Sequence, residues 1–236
     1  MERVFADLHC HSAASFDSLS KPADLVRVAS ERGLTHLAIT DHERIEGALA
    51  ARDLAPKGLT IIVGEEVRST DGDLVGLYLE RAVPPGLSAL ETIAAIHEQG
   101  GLAGIPHPFD RFRASGLAAL PEAQLADVAG VVDYVETWNA RVPSAATNER
   151  ARDFAAARGL PGVAASDAHT LIEVGVASTR LAGPITGPVE LLAALADATL
   201  SLGRASYLVR GLTPVNKIVN RLRGNVRVRP SSSIAG

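Results

Sequence analysis

The stretch "ADLHCH", residues 6–11, decides how the rest of the chain is read. A short apolar run ends there on two histidines one residue apart. In a strand, residues i and i+2 share a face, so His9 and His11 can point together while Cys10 points away. Other strand-like runs end in the same way. The first runs over 3–9, and Asp17 lies in the loop that follows it. A second, 35–40, leads into Asp41 and His42; a third, 59–67, carries Glu65 and Glu66. A fourth, 101–106, leads into His107, and a fifth, 131–137, brings Glu136 and then Asn139. A sixth, 162–166, leads into Asp167 and His169, again at i, i+2.

Between these runs lie alanine- and leucine-rich stretches at 22–32, 45–54, 88–99, 118–128, 144–158 and 188–199, several stopped by glycine. Strand–helix alternation of this kind predicts an α/β fold with a parallel sheet and crossover helices. Six or more such units in about 200 residues fit a barrel better than an open sheet. "DGDLVGLYLE", 71–80, reads as an extra hairpin arm, and the last ~25 residues, ending "RPSSSIAG", read as frayed. No internal repeat or low-complexity segment interrupts the pattern.

Composition narrows the class. The 236 residues are 47% hydrophobic, enough for a sizeable core. No apolar run reaches the ~18–20 residues that span a bilayer. "MERVFADLHC" does not read as a signal peptide, and Cys10 is the single cysteine, so the expected setting is a reducing cytoplasm. Net charge is −4, but residues 198–236 hold seven basic residues and no acidic one, leaving −11 on the preceding 197. Such a tail can meet phosphate or nucleic acid, or fold back onto the acidic body; the second is the simpler expectation.

In barrels the loops after the strands build the active site. Five of the seven histidines fall there; His36 begins a strand and His97 lies inside a helix, so both read as structural. Buried imidazoles and carboxylates in such number call for metal. The set suits Mn, Zn or Fe and exceeds the four ligands of one tetrahedral ion, so two or three divalent ions are expected. Ions about 3.5–4 Å apart suit hydrolysis of phosphate esters.

With these residues in hand, the chain resembles the polymerase-and-histidinol-phosphatase (PHP) family of metal-dependent phosphoesterases. The resemblance rests on "DLHCHSAASFDS", "GLTHLAITDH", "GEEV", "IPHPFD" and "ASDAH", and covers roughly residues 4–180. It implies a distorted (β/α)7 barrel over 1–180, with the metal site at the C-terminal ends of its strands. A PHP-associated region, 181–236, would pack on the same domain with its basic tail. By matching motif, His9, His11, Glu66 and Asp167 would hold one ion, with Glu66 bridging. Asp17 and His42 would hold a second, and His107 and His169 complete the set. Glu66 is preferred to Glu65 because the family's glutamate precedes an apolar residue. Many members carry a further histidine between the last two motifs; none stands between His107 and His169 here, and Glu136 and Asn139 are the candidates for its place.

The implied activity is hydrolysis of phosphomonoesters or phosphodiesters, with Asp17 or His169 protonating the leaving oxygen. Arg111, Arg113 and Arg141 are candidates to grip phosphate bidentately; Lys21 and Arg68 are weaker ones. The expected partner is a phosphorylated small molecule or nucleotide, extending to short nucleic-acid ends. Few aromatics, 4%, argue against a long stacking platform. Histidinol phosphate is an alternative substrate. An amidohydrolase would need a lysine at a strand end, and Lys21, Lys57 and Lys217 are not so placed. A metal-stabilised scaffold without activity is the remaining alternative.

Overall fold

The computed structural model describes residues 3–110 and 116–228. One nine-stranded sheet dominates, in the spatial order β7-β6-β5-β4-β3-β2-β1-β8-β9. Its strands are β1 (Arg3–Asp7), β2 (His36–His42), β3 (Thr60–Arg68), β4 (Asp73–Leu77), β5 (Leu102–Ile105), β6 (Tyr134–Asn139), β7 (Gly162–Ala165), β8 (Ser178–Ala182) and β9 (Thr199–Ser201). Helices α1 (Pro22–Glu31), α2 (Glu46–Arg52), α3 (Ala89–His97), α4 (Glu122–Ala129), α5 (Ala145–Ala156) and α6 (Pro188–Leu195) connect them. Two more, α7 (Tyr207–Arg210) and α8 (Leu212–Leu222), follow the sheet. Among the described residues no helix is long and apolar enough to cross a membrane.

The fold is the expected distorted α/β barrel, and the distortion has identifiable sources. β4 runs antiparallel between β3 and β5, and β8 runs antiparallel beside β1. The segment 71–80 is therefore no outlying arm. Asp73–Leu77 is a fully buried strand of the sheet, because its apolar residues face both layers of the core. β8 and β9 are absent from the sequence reading, being short and without a helix of their own between β7 and β8.

The ring closes by two sets of bonds. Below the mouth, Thr179 Oγ1 on β8 accepts from Ala164 N of β7 at 2.9 Å and donates to Ala164 O at 3.0 Å. At the mouth, the chain beyond β7 pairs directly with the chain beyond β1: Asp167 N donates to His9 O at 2.9 Å and His11 N to Ala168 O at 2.8 Å. The two candidate ligand pairs, His9/His11 and Asp167/His169, thus lie on adjacent parallel segments.

The interior is filled by Val4, Ala6, Leu8, Ala38, Ile62 and Tyr134, among others. Gly104 on β5 makes room for the Tyr134 ring, since a Cβ there would lie 2.2 Å from its Cζ. Outside, Leu37, Ile39, Ile61 and Val63 pack on helix residues such as Leu25 and Ala48. Strict alternation fails at the decisive stretch, as it does at the register shift between Glu136 and Trp138 in β6. Leu8 belongs to the inner cluster and Cys10 to the outer one, so the chain shifts parity beyond β1 as His9 and His11 turn to the mouth.

The tail does not fray from residue 212. α8 docks through a polar face: Asn216 and Asn220 are buried, and their amides donate to main-chain carbonyls. The remainder, 229–236, lies outside the described residues.

Thr179→Val keeps the shape of the side chain but leaves Ala164 N and O without their partner across the closing seam. The expected cost is about 1–3 kcal/mol of stability, read as a lower urea midpoint with unchanged slope; an unchanged midpoint would show that the seam closes without this side chain.

Candidate metal centre

β2 and β3 run in register, with His42 opposite Glu66. Period-2 alternation from Ala38 and Ile62 in the interior carries Thr40 and Gly64, then His42 and Glu66, up the inner face. Glu66 ends at the centre of the mouth. Its Oε2 lies 3.3 Å from His9 Nε2, 3.4 Å from His11 Nε2 and 3.3 Å from His42 Nδ1, while Oε1 lies 3.1 Å from His107 Nε2. Glu65 faces the other way, where its carboxylate accepts from Val83 N at 2.7 Å and burial pushes its pKa up to about 8.

Two groups of side chains converge so that their ligand atoms lie within 4.8 Å of one another: His9, His11 and Asp167; and His11, Asp17, His42 and His169. They share His11. Asp167 Oδ1 is 3.3 Å from His11 Nε2, and Asp17 Oδ2 is 3.4 Å from His42 Nε2 and 3.2 Å from His169 Nε2. His169 therefore stands with Asp17 and His42. All eight candidate ligands are brought together, and none exceeds 7% exposure.

The support is as ordered as the ligands. Glu136 Oε1 holds His9 Nδ1 at 2.5 Å, which aims Nε2 at the cluster. Its Oε2 accepts from His107 N at 3.0 Å and from Asn139 Nδ2 at 3.0 Å. Asn139 also donates to Asp167 Oδ2 at 3.1 Å. Glu136 and Asn139, the candidates for the missing histidine's place, thus brace three candidate ligands, His9, His107 and Asp167. Asp41 takes Ser12 N and Oγ at 2.6 and 2.5 Å, next to His11, and Asp7 takes Ser166 N and Gly175 N at 2.9 and 2.8 Å. Burial pushes both these acids up to about 6. His107 and Asp167 hold positive φ, 29° and 53°, a strained conformation for non-glycine residues that clusters at functional sites.

Charge balance shows that the donors fit divalent metal. Burial pushes His11 down to about 3, helped by repulsion from His169, so its ring stays neutral. Burial also opposes charge on His9 and His42. The Glu136, Asp167 and Glu66 carboxylates nonetheless raise His9 well above the usual range, and Glu66 with Asp17 raises His42 to about 9. Burial disfavours ionised Glu66 and Asp17, yet the neighbouring imidazoles hold both well below the usual carboxylate range. Without metal, protons on His9 and His42 do the neutralising. His11 Nδ1 has no hydrogen-bond partner in the structure. Neutral imidazole and ionised carboxylate are the forms that bind metal.

The phosphate-gripping candidates are placed differently. Arg141 is buried, with Nη2 2.7 Å from Thr213 Oγ1 and Nη1 3.5 Å from Glu173 Oε2, the carboxylate that also accepts from His169 N. Arg68 pairs with Asp73 at 3.1 Å, and Lys21 precedes α1. Arg111 and Arg113 lie outside the described residues. His36 bonds to Ile185 O and His97 to Asp133, both away from the cluster.

Comparison with known proteins adds the ancestry of this arrangement. The PHP domain profile matches residues 7–135, more than half of the chain. The chain belongs to the PHP family. The PHP-associated profile matches residues 145–200, the stretch that carries α5 and α6 and supplies β7, β8 and most of β9 to the same sheet. Protein MJ1587 of Methanocaldococcus jannaschii is 39% identical over 115 residues, which are 44% of this chain and 67% of that protein. A 5′-3′ exoribonuclease of Haemophilus influenzae is 34% identical over 122 residues, 46% of this chain and 44% of the enzyme. Among solved structures, a two-domain protein of Bacteroides vulgatus containing a predicted PHP-like metal-dependent phosphoesterase superposes with a TM-score of 0.71. It is 20% identical, and the match covers 86% of this chain and 65% of that one.

Metal must displace the protons on His9 and His42, so Mn²⁺ affinity should rise with pH from 6 towards 9 and proton release should accompany binding. Chelation should also lower the melting temperature, because only the folded state presents the site. Calorimetric titration in buffers of different ionisation enthalpy checks the first; a pH-independent affinity or an unchanged melting curve after verified metal removal would contradict this reading.

Proposed function

We propose that the chain is a metal-dependent hydrolase of phosphate esters, acting on nucleotides or the 5′ ends of short oligonucleotides. The observation that carries this is the pair of buried ligand groups that share His11 and meet at Glu66. When bound there, divalent ions would activate water and neutralise phosphate oxygens. The relation to the Haemophilus exoribonuclease supports the nucleotide reading over histidinol phosphate. The lysines speak against an amidohydrolase: Lys21 precedes α1, Lys57 lies between α2 and β3, and Lys217 is on α8.

The residues divide the remaining work. His9, His11, Glu66 and Asp167 would hold one ion and Asp17 and His42 the other, with His107 against Glu66 and His169 beside Asp17. Glu136 and Asn139 fix ring and carboxylate orientations, so little reorganisation is left to the reaction. Asp17 stays ionised and is the poorer acid. His169 Nε2, 3.2 Å from Asp17 Oδ2, is the better group to carry a proton to the leaving oxygen.

A Mn²⁺-supplemented assay on p-nitrophenyl phosphate, bis(p-nitrophenyl) phosphate and nucleotides tests the proposal. His169→Gln should cut turnover of a nucleotide by about 10²–10⁴-fold. The loss should be smaller on p-nitrophenyl esters, whose leaving group needs little protonation. Equal losses on both would assign His169 to metal holding alone, and no turnover of any phosphate ester by metal-loaded protein would favour the scaffold.

A further inference from the structure

The two halves of the metal centre are braced from different parts of the chain. Glu136 and Asn139, on a strand of the barrel, hold His9, His107 and Asp167. Asp17 and His169 are held through their main chains, and the groups that hold them come from α8.

Thr213 and Asn216 stand three residues apart on α8, on one face of one turn. Asn216 is buried, and its Nδ2 donates to Asp17 O and to His169 O at 3.3 and 3.4 Å. Thr213 Oγ1 accepts from Arg141 Nη2 at 2.7 Å. Arg141 Nη1 lies 3.5 Å from Glu173 Oε2, and that oxygen accepts from His169 N at 3.1 Å. A single turn of α8 thus reaches both polar main-chain atoms of His169, the carbonyl directly and the amide through Arg141 and Glu173. One turn further on, Asn220 Nδ2 donates to Ser18 O at 2.8 Å, and Ser18 Oγ lies 2.9 Å from His11 O and 3.1 Å from His169 O. Asp17 Oδ2 and His169 Nε2 meet at 3.2 Å, so anchoring the two carbonyls anchors that approach.

Apolar burial does not explain the seat of this helix. Leu212, Val215, Ile218 and Leu222 are all exposed. A helix kept only to cover the barrel would turn these residues inward. α8 buries two asparagines instead, and the bonds of Asn216 end on two residues of the group His11, Asp17, His42 and His169. The helix also lies beyond the stretches that match the family, 7–135 and 145–200.

We infer that α8 is a positioning element of the metal centre and that Asn216 is its principal positioning residue. It sets the spacing of Asp17 and His169, so the ion that Asp17 and His42 would hold depends on the C-terminal helix. The ion that His9, His11, Glu66 and Asp167 would hold is braced by Glu136 and Asn139 and does not. The inference rests on the metal-centre reading and on no particular reaction.

The test is equilibrium Mn²⁺ binding, by calorimetry and elemental analysis, on wild type, Asn216→Ala, Thr213→Val and Asn225→Ala. Asn225 is the control: its amide fastens the same tail to Ala13 O, Ala14 O and Ser15 O and touches no ligand residue. Wild type should bind at least two ions. Asn216→Ala should weaken one of them by about 10–100-fold and leave the other in place. Thr213→Val should weaken the same ion less, and it decides the matter if Asn216→Ala does not fold. Asn225→Ala should lower the melting temperature while keeping both ions. Adding Asn216→Ala to Asp17→Asn should cost nothing further, whereas its effect should persist on Glu136→Gln. Fewer than two ions on wild type, equal weakening of every ion by Asn216→Ala, or the same selective loss in Asn225→Ala would overturn the inference. Ion binding is read without turnover, so a chain that loads its ions and hydrolyses no phosphate ester fails the hydrolytic reading alone.

Discussion

The Glu66 carboxylate is held dry at the mouth of the barrel, within 3.1–3.4 Å of nitrogens from four different histidines. A carboxylate so buried is stable only if positive charge accompanies it. Protons on His9 and His42 can supply that charge, and divalent metal can supply more of it. The surrounding architecture serves this requirement. β1, β2, β3 and the segment after β7 converge on it, Glu136 and Asn139 hold the ligands in orientation, and Asp7 and Asp41 fix the backbone beneath them.

The barrel is closed at the mouth by the same segments that carry the ligands. His9 O and His11 N pair with Asp167 N and Ala168 O, so the main-chain bonds that complete the ring also set the distance between two ligand pairs. Stability and site geometry are coupled here through the backbone. Below the mouth the ring is closed separately, by Thr179 across β7 and β8. That division lets the antiparallel strand β8 enter the ring without disturbing the mouth.

Much of this was legible in the sequence because strand periodicity is simple. A polar residue just beyond an apolar run in a barrel strand reaches the mouth, and His9, His42, Glu66, His107 and Asp167 were each found in that way. The choice of Glu66 over Glu65 needed the family resemblance, although the inner-face parity running from Ile62 through Gly64 gives the same answer once the register is known. Asp73–Leu77 does form a hairpin with β3, as expected, but its place inside the ring between β3 and β5 leaves no mark in an apolar run next to glycines. The parity shift between Leu8 and Cys10 leaves no mark in residue type. α8 carries apolar residues at helical spacing, Leu212, Val215, Ile218 and Leu222, but these stay exposed and it docks by asparagine amides on carbonyls, a contact that hydrophobic periodicity does not announce. Asp7 was missed because it acts through the main chain of a distant loop, and Glu173 because it acts on the main-chain N of His169 rather than at the mouth itself.

A cluster of divalent ions gathered around Glu66 is what the mouth is built to hold. The most direct measurement is a crystal structure of Mn²⁺-soaked protein with anomalous difference density. Two or three peaks are expected at the mouth, at least two of them within about 2.0–2.3 Å of ligand atoms that include a Glu66 oxygen. A single peak elsewhere, or none after verified loading, would contradict it.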